Sequence, residues 1–182
     1  GGSLETRARV LPLIPQGVAE HAGPTSACSV KVPAEVAPLG LPHASGDEAV
    51  ELARLTQEWG YDAVTPVTVS VLPDTTLARG DAPTNLRTNK AMVERLRRAA
   101  PRRTRRASLQ FGYWWAGRRA PFAPVWNREL VAAVSREVTV PVFAVGGIRA
   151  ASEVNEILES GEADMVGIGR PFYAEPDLAA RI

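Results

Sequence analysis

The chain has 182 residues, 45% hydrophobic and 23% charged, with Lys plus Arg at 21 against Asp plus Glu at 20 and a net charge of +1. That balance fits one globular domain and excludes a strong global field, so neither nucleic acid nor an anionic membrane surface is an expected partner. A single cysteine excludes an internal disulfide and any Cys-only zinc or iron–sulfur site, and no apolar run approaches the roughly 18–20 residues of a membrane span.

The first predicted element is a helix over residues 4–22. Pro12 and Pro15 are awkward inside it, so it should be kinked or start late. A strand follows over 27–32, with Lys31 inside it and Cys28 as a small buried hydrophobe. A helix over 47–59 places Leu52, Leu55 and Trp59 on one face and stops at Gly60. Residues 63–69 read as a strand that Pro66 should break, which suits a barrel rim better than a flat central strand.

About 70 residues then separate this strand from the next, from Ser70 to Thr139, far more than an ordinary connection. Asn89 is placed to cap a short helix bearing Met92, Val93 and Leu96. Seven arginines lie between Arg95 and Arg106. They read either as a solvated helix face and loop or as a site for nucleic acid or nicotinamide-cofactor phosphates. Tyr113, Trp114 and Trp115 suit a pocket wall or packing of the segment against the rest. A stretch over 71–124 on the carboxyl face of a barrel would act as a lid.

A helix over 127–137 buries Leu130, Val131 and Val134. The apolar run of Val140, Val142, Phe143, Ala144 and Val145 reads as a strand buried on both faces. Gly146 and Gly147 let the backbone turn and approach a ligand. Ser152 is placed to cap the next helix, whose Val154, Ile157 and Leu158 share a face and which stops at Gly161. A last strand over 163–168 ends in Gly169 and Arg170.

Two apolar strands thus open into glycine turns in succession. Backbone N–H groups freed there, with a helix N-terminus behind them, form an anion site, and Arg170 can fork two N–H groups onto a phosphate. In (β/α)₈ barrels the loops after strands 7 and 8 are the usual phosphate site. The same glycines also suit an ordinary αβ unit in which they only make turns.

AVGGIR from Ala144, ESGEADMVGIGRPF from Glu159 and EPDL from Glu175 resemble the C-terminal signature of the old yellow enzyme family, the NADH:flavin oxidoreductases. GGSLETRAR from Gly1 is similar to the family segment after the fourth barrel strand, SVKVP from Ser29 to the fifth strand, and GYDAVTPV from Gly60 to the sixth. Some members carry a long insertion with an Arg-Gly-x-x-Pro motif, here Arg79 to Pro83. The resemblance implies an α/β fold: the C-terminal half, strands 5–8, of a (β/α)₈ TIM barrel over residues 1–182, with residues 71–124 inserted between strands 6 and 7.

It also implies FMN as cofactor and NAD(P)H as reductant, with a small-molecule substrate of the activated-alkene class. Gly146, Gly147, Gly169 and Arg170 would hold the phosphate. Lys31 would sit beside the N1/O2 edge of the isoalloxazine; its other reading is a strand-end lysine reaching into solvent. The family's substrate-binding pair lies in the half not present, so no catalytic residue is assigned, and His21 and His43 are not that pair. A complete barrel needs about 250 residues, so the chain is expected to be a piece of a longer protein, inactive alone. Its partner would be the missing N-terminal half-barrel or another copy of itself. A cytoplasmic location is the expectation. Another phosphate-binding TIM-barrel enzyme, or a non-catalytic half-barrel serving in assembly, stays open beside this reading.

Overall fold

The computed structural model describes residues 2–36, 43–70, 93–94, 97–98, 101–108, 111 and 122–181. The chain divides into two compact units, one formed by Gly1–Val71 with Pro124–Ile182 and the other by Leu72–Ala123. In the second unit, residues 103–108 are helical, and Arg106 N–H donates to the Arg102 carbonyl at 3.1 Å. The expected cap at Asn89, Met92 and Leu96, the Arg79 to Pro83 motif, and Tyr113, Trp114 and Trp115 lie outside the described residues.

The first unit opens with two helices where one was expected, α1 (Leu4–Ala8) and α2 (Leu13–Ala22). Pro12 stands at the α2 N-cap and Pro15 in its first turn, positions whose N–H groups have no intrahelical acceptor, so neither ring disturbs the helix. Strand β1 (Ser29–Val36) follows, then α3 (Gly46–Glu58) and β2 (Ala63–Ser70). A capping box starts α3: Glu48 N–H donates to Ser45 Oγ at 3.1 Å and Ser45 N–H to Glu48 Oε2 at 3.3 Å. After the second unit come α4 (Arg128–Ser135), β3 (Phe143–Val145), α5 (Ala151–Glu159), β4 (Met165–Gly167), α6 (Pro171–Ala174) and α7 (Leu178–Arg181).

Strand β1 pairs parallel with β2, from Ser29 opposite Ala63 to Val36 opposite Ser70, and β3 pairs parallel with β4. A parallel bridge between Val64 and Val142 links the two pairs, giving the order β1-β2-β3-β4. One device recurs at both pairs. Asp62 donates its backbone N–H to the Cys28 carbonyl (2.8 Å) and accepts the Cys28 N–H on its carboxylate (2.7 Å). Asp164 does the same with Val142, at 3.0 and 2.8 Å. Each aspartate locks the register at the start of its strand.

Both early strands differ from expectation in extent. β1 runs four residues past Val32, and β2 continues through Pro66, which pairs with Val32. Val64 and Thr68 aim their N–H groups away from β1, to the Pro141 carbonyl and to Asn127 Oδ1, each at 3.0 Å. Pro66 lies between them at the same period, so its missing donor falls on the β3 side, beyond the single bridge, and no β1–β2 hydrogen bond is lost.

The core lies between the strands and the helices. Val32, Ala34, Val64, Val142 and Ala144 face Ala49 and Ala53 of α3, Val131 and Val134 of α4, and Ile157 of α5. Among the expected helix positions Leu55, Val131, Val134 and Ile157 are buried, while Leu158 is exposed. Gln57 ties α3 to the approach to β3, accepting N–H bonds from Thr139 (2.6 Å) and Val140 (3.2 Å). Arg128 ties α4 to α5 through Glu162 and Glu156. The opposite face of the strands carries Lys31, Thr65, Val67, Phe143, Val145 and Met165, none of them buried. The third strand, expected to be buried on both faces, is therefore buried on one.

Candidate functional site: the glycine turns of β3 and β4

Val145 and Gly167 are register partners at the ends of β3 and β4. The chain therefore leaves the two strands side by side, as Gly146–Gly147 and as Ile168–Gly169–Arg170. The close approach of the strands needs a glycine, since a Cβ on Gly167 would stand 2.8 Å from Val145 Cγ1. Gly146 and Gly147 have φ of 107° and 79°, a region that side chains disfavour. A Cβ on Gly146 would meet Trp126 Cε2 at 2.8 Å and Asn127 Nδ2 at 3.0 Å, whereas one on Gly169 would meet nothing within 4 Å. Among the described residues, the N–H groups of Gly146 and Gly147 have no protein acceptor.

The helix behind this turn does not offer its N-terminus as expected. Ser152 lies inside α5 and does not cap it. Glu153 reaches back instead, accepting N–H bonds from Arg149 (2.6 Å) and Ala150 (3.1 Å) on Oε2. A carboxylate already meets the positive end of that helix. The donors left for an anion are those of the turn itself.

Two residues singled out by no sequence argument shape the turn. Asn127 was read only as the start of a helix. Its side chain makes no cap bond. It is 3% exposed, and its carboxamide accepts from Thr68 N–H at 3.0 Å and donates to the Val145 carbonyl at 2.8 Å. It replaces the ladder between β2 and β3 at their carboxyl ends. Trp126 lies under Gly146, and the Arg170 guanidinium carbon stands 5.9 Å from its ring centroid. The sequence signal was thin: a Trp-Asn pair directly before an amphipathic helix.

The structure thus brings Gly146, Gly147, Gly169 and Arg170 to adjacent strand ends. Lys31 is not with them. It stands third in β1, two strands away, exposed, on the face the helices leave open, with Thr65 as its register partner. His21 bonds the Gly17 carbonyl through Nδ1 at 2.9 Å within α2. Among the described residues, no group of His, Cys, Asp and Glu could hold a metal ion, and no helix is long and apolar enough to cross a membrane.

A parallel α/β unit with paired glycine turns at neighbouring strand ends is the class these features define. The model of the NADH:flavin oxidoreductase / NADH oxidase family matches residues 55–182, and the chain belongs to that family. It is also similar, over a shorter stretch, to imidazole glycerol phosphate synthase subunit HisF. The identity is 34% over 56 residues for the protein of Campylobacter lari, covering 31% of this chain and 22% of that one. For the protein of Dehalococcoides mccartyi it is 40% over 53 residues, covering 29% and 21%. The chain thus spans about a fifth of the length of these curated relatives.

Proposed function

We propose that this chain is the cofactor-phosphate half, strands 5–8, of a (β/α)₈ flavin oxidoreductase of the ene-reductase type. The family match supports the flavin, and the paired glycine turns support the place of its phosphate. The carrying observation is that Gly146–Gly147 and Gly169–Arg170 leave register-paired strands side by side, and that the N–H groups of Gly146 and Gly147 have no protein acceptor among the described residues. FMN fits this edge by the chemistry of its donors: two glycine amides and a guanidinium suit a phosphate monoester.

When bound, FMN would supply two-electron transfer from NAD(P)H to an electron-poor alkene. The chain's own residues do the rest. Gly146 and Gly147 present amides to the phosphate, and Arg170 forks onto it. Lys31, on the open strand face, offers a cation to the isoalloxazine edge, where it would favour the more negative reduced ring. The open face of Thr65, Val67, Phe143 and Val145 becomes barrel interior when four further strands close over it. Residues 71–124 serve as a lid, and the partner is the N-terminal half-barrel or a second copy of the chain.

The test is whether a complete barrel carrying this sequence, once purified, keeps flavin absorbance through gel filtration and releases FMN on denaturation. A colourless protein that leaves the fluorescence of added FMN unquenched overturns the reading. The similarity to HisF, whose name describes a synthase of a glycerol phosphate compound, favours one second reading: a barrel that takes a sugar phosphate at the same edge. Displacement of FMN by inorganic phosphate but by no sugar phosphate decides against it.

A further inference from the structure

We propose that Trp126 is a positioning residue for the phosphate-bearing end of the cofactor, one indole setting both halves of the anion site. The proposal rests on the phosphate reading above. Gly146 at φ 107° turns its Cβ direction onto the ring, with Cε2 at 2.8 Å and Cζ2 at 3.0 Å from that point. No side chain fits between them, so the turn lies directly on the indole. Arg170, from the other strand end, holds its guanidinium over the ring, with Cζ at 5.9 Å from the centroid. The two strand ends therefore share one template.

An exposed arginine has many rotamers to lose when it takes a phosphate. A cation–π contact with the indole restricts where the guanidinium rests, so less freedom is lost when it takes a phosphate. The ring is itself held from both sides in sequence. Val125, a β-branched residue, sits at φ 45°, a conformation that persists only where its surroundings impose it. Asn127 is anchored to Thr68 and Val145.

The test compares FMN with riboflavin, which lacks the phosphate, by fluorescence titration of the full-length protein. Trp126→Leu should weaken FMN about tenfold and Trp126→Phe about threefold, with riboflavin affinity unchanged. Combining Trp126→Leu with Arg170→Ala should cost less than the sum of the two separate losses, because both act on one contact. Equal losses for FMN and riboflavin, or full additivity in the double variant, overturn the proposal and leave Trp126 as packing. A wild-type protein that binds neither flavin refutes the flavoprotein reading instead. Inorganic phosphate, followed by the amide shifts of Gly146 and Gly147, then carries the same comparison. A Trp126→Leu protein that takes phosphate as well as wild type overturns the proposal there.

Discussion

The carboxamide nitrogen of Asn127 donates to the Val145 carbonyl at 2.8 Å, one residue before the Gly146–Gly147 turn. The oxygen of the same group accepts the Thr68 N–H at 3.0 Å. Because the Val64–Val142 bridge is the one ladder contact between β2 and β3 among the described residues, this buried side chain is what joins their carboxyl ends. Asn127→Ala removes two hydrogen bonds and strands two backbone groups, at a cost of about 2–3 kcal/mol. Asn127→Asp should be no milder at neutral pH, since a carboxylate accepts from Thr68 but repels the Val145 carbonyl. Denaturant midpoints of the three proteins, with amide exchange at Thr68, check this; unchanged midpoints would refute it.

The glycines at the turn divide by cause. Gly146 combines a positive φ with a Cβ direction that runs into Trp126, so Gly146→Ala should cost on the order of 2–4 kcal/mol of stability. Gly169 has open space where a Cβ would go. Gly169→Ala should change stability by no more than about 0.5 kcal/mol, yet weaken FMN if the backbone there approaches the phosphate. Thermal melts beside FMN titrations separate the two. A melt depressed equally in both variants would remove the distinction.

Much of this arrangement was legible beforehand. The 3.6-residue spacing of Leu52 and Leu55, and of Val131 and Val134, placed α3 and α4, because one apolar stripe facing a sheet has a definite period. The glycine turns after β3 and β4 were legible for the same reason that they are sharp. Other features depended on partners distant in sequence. Pro66 reads as a strand breaker until one knows which neighbour its nitrogen faces. Ser152 reads as a cap, but Glu153 wins the N-terminal amides of α5 because its carboxylate reaches back to both Arg149 and Ala150. Asn127 reads as a helix start, and only the fold shows that its amide spans two strands. The burial of Phe143 depends on what covers the second face, which local periodicity does not encode.

Glu48 links α3 to α1. The Arg7 guanidinium bonded to it, and then the Ser45 N–H, hold its carboxyl below the ordinary 4.5. A lowered folded value means that the contact contributes stability above about pH 4.5 and loses it as pH falls through the lower folded value. Both side chains are solvent-accessible, so the effect is small and salt-sensitive. The difference in melting temperature between wild type and Glu48→Gln should therefore be present at pH 6 and shrink as pH falls below 4.5. A difference that does not shrink on acidification would rule out the ion pair as its source.

In a complete barrel carrying this sequence, Lys31 and Arg170 should separate kinetically. Arg170→Ala should weaken FMN about 10–100-fold, the usual worth of a hydrogen bond to a charged group. Gly147→Val should be at least as harmful, since its φ of 79° and the approach of a ligand both exclude a branched side chain. Lys31→Ala should leave FMN affinity nearly intact while slowing flavin bleaching by NAD(P)H, because the charge it meets develops mainly on reduction. If Lys31→Ala lowers affinity and leaves the bleaching rate unchanged, the lysine does not face the ring edge.

The open face of the sheet carries the last expectation. Phe143 and Val145 are half-buried although Val142 and Ala144 beside them, facing the helices, are buried, and Met165 of β4 is 37% exposed. β1 and β4 each pair with one strand only among the described residues; the Glu35 N–H of β1 is taken by the Ala44 carbonyl at 2.7 Å, so the edges are covered in part only. Apolar surface beside an unpaired strand edge associates. The 182-residue chain alone should therefore run as an oligomer by light scattering. Supplying a half-barrel of strands 1–4 should convert it to a one-to-one complex, since closure removes both edges at once. Met165→Lys should reduce self-association and weaken that complex together, because the same face serves both. A sharp monomeric peak with cooperative unfolding, from the chain alone, would show that the face is stable in water and that closure of a barrel is not what it awaits.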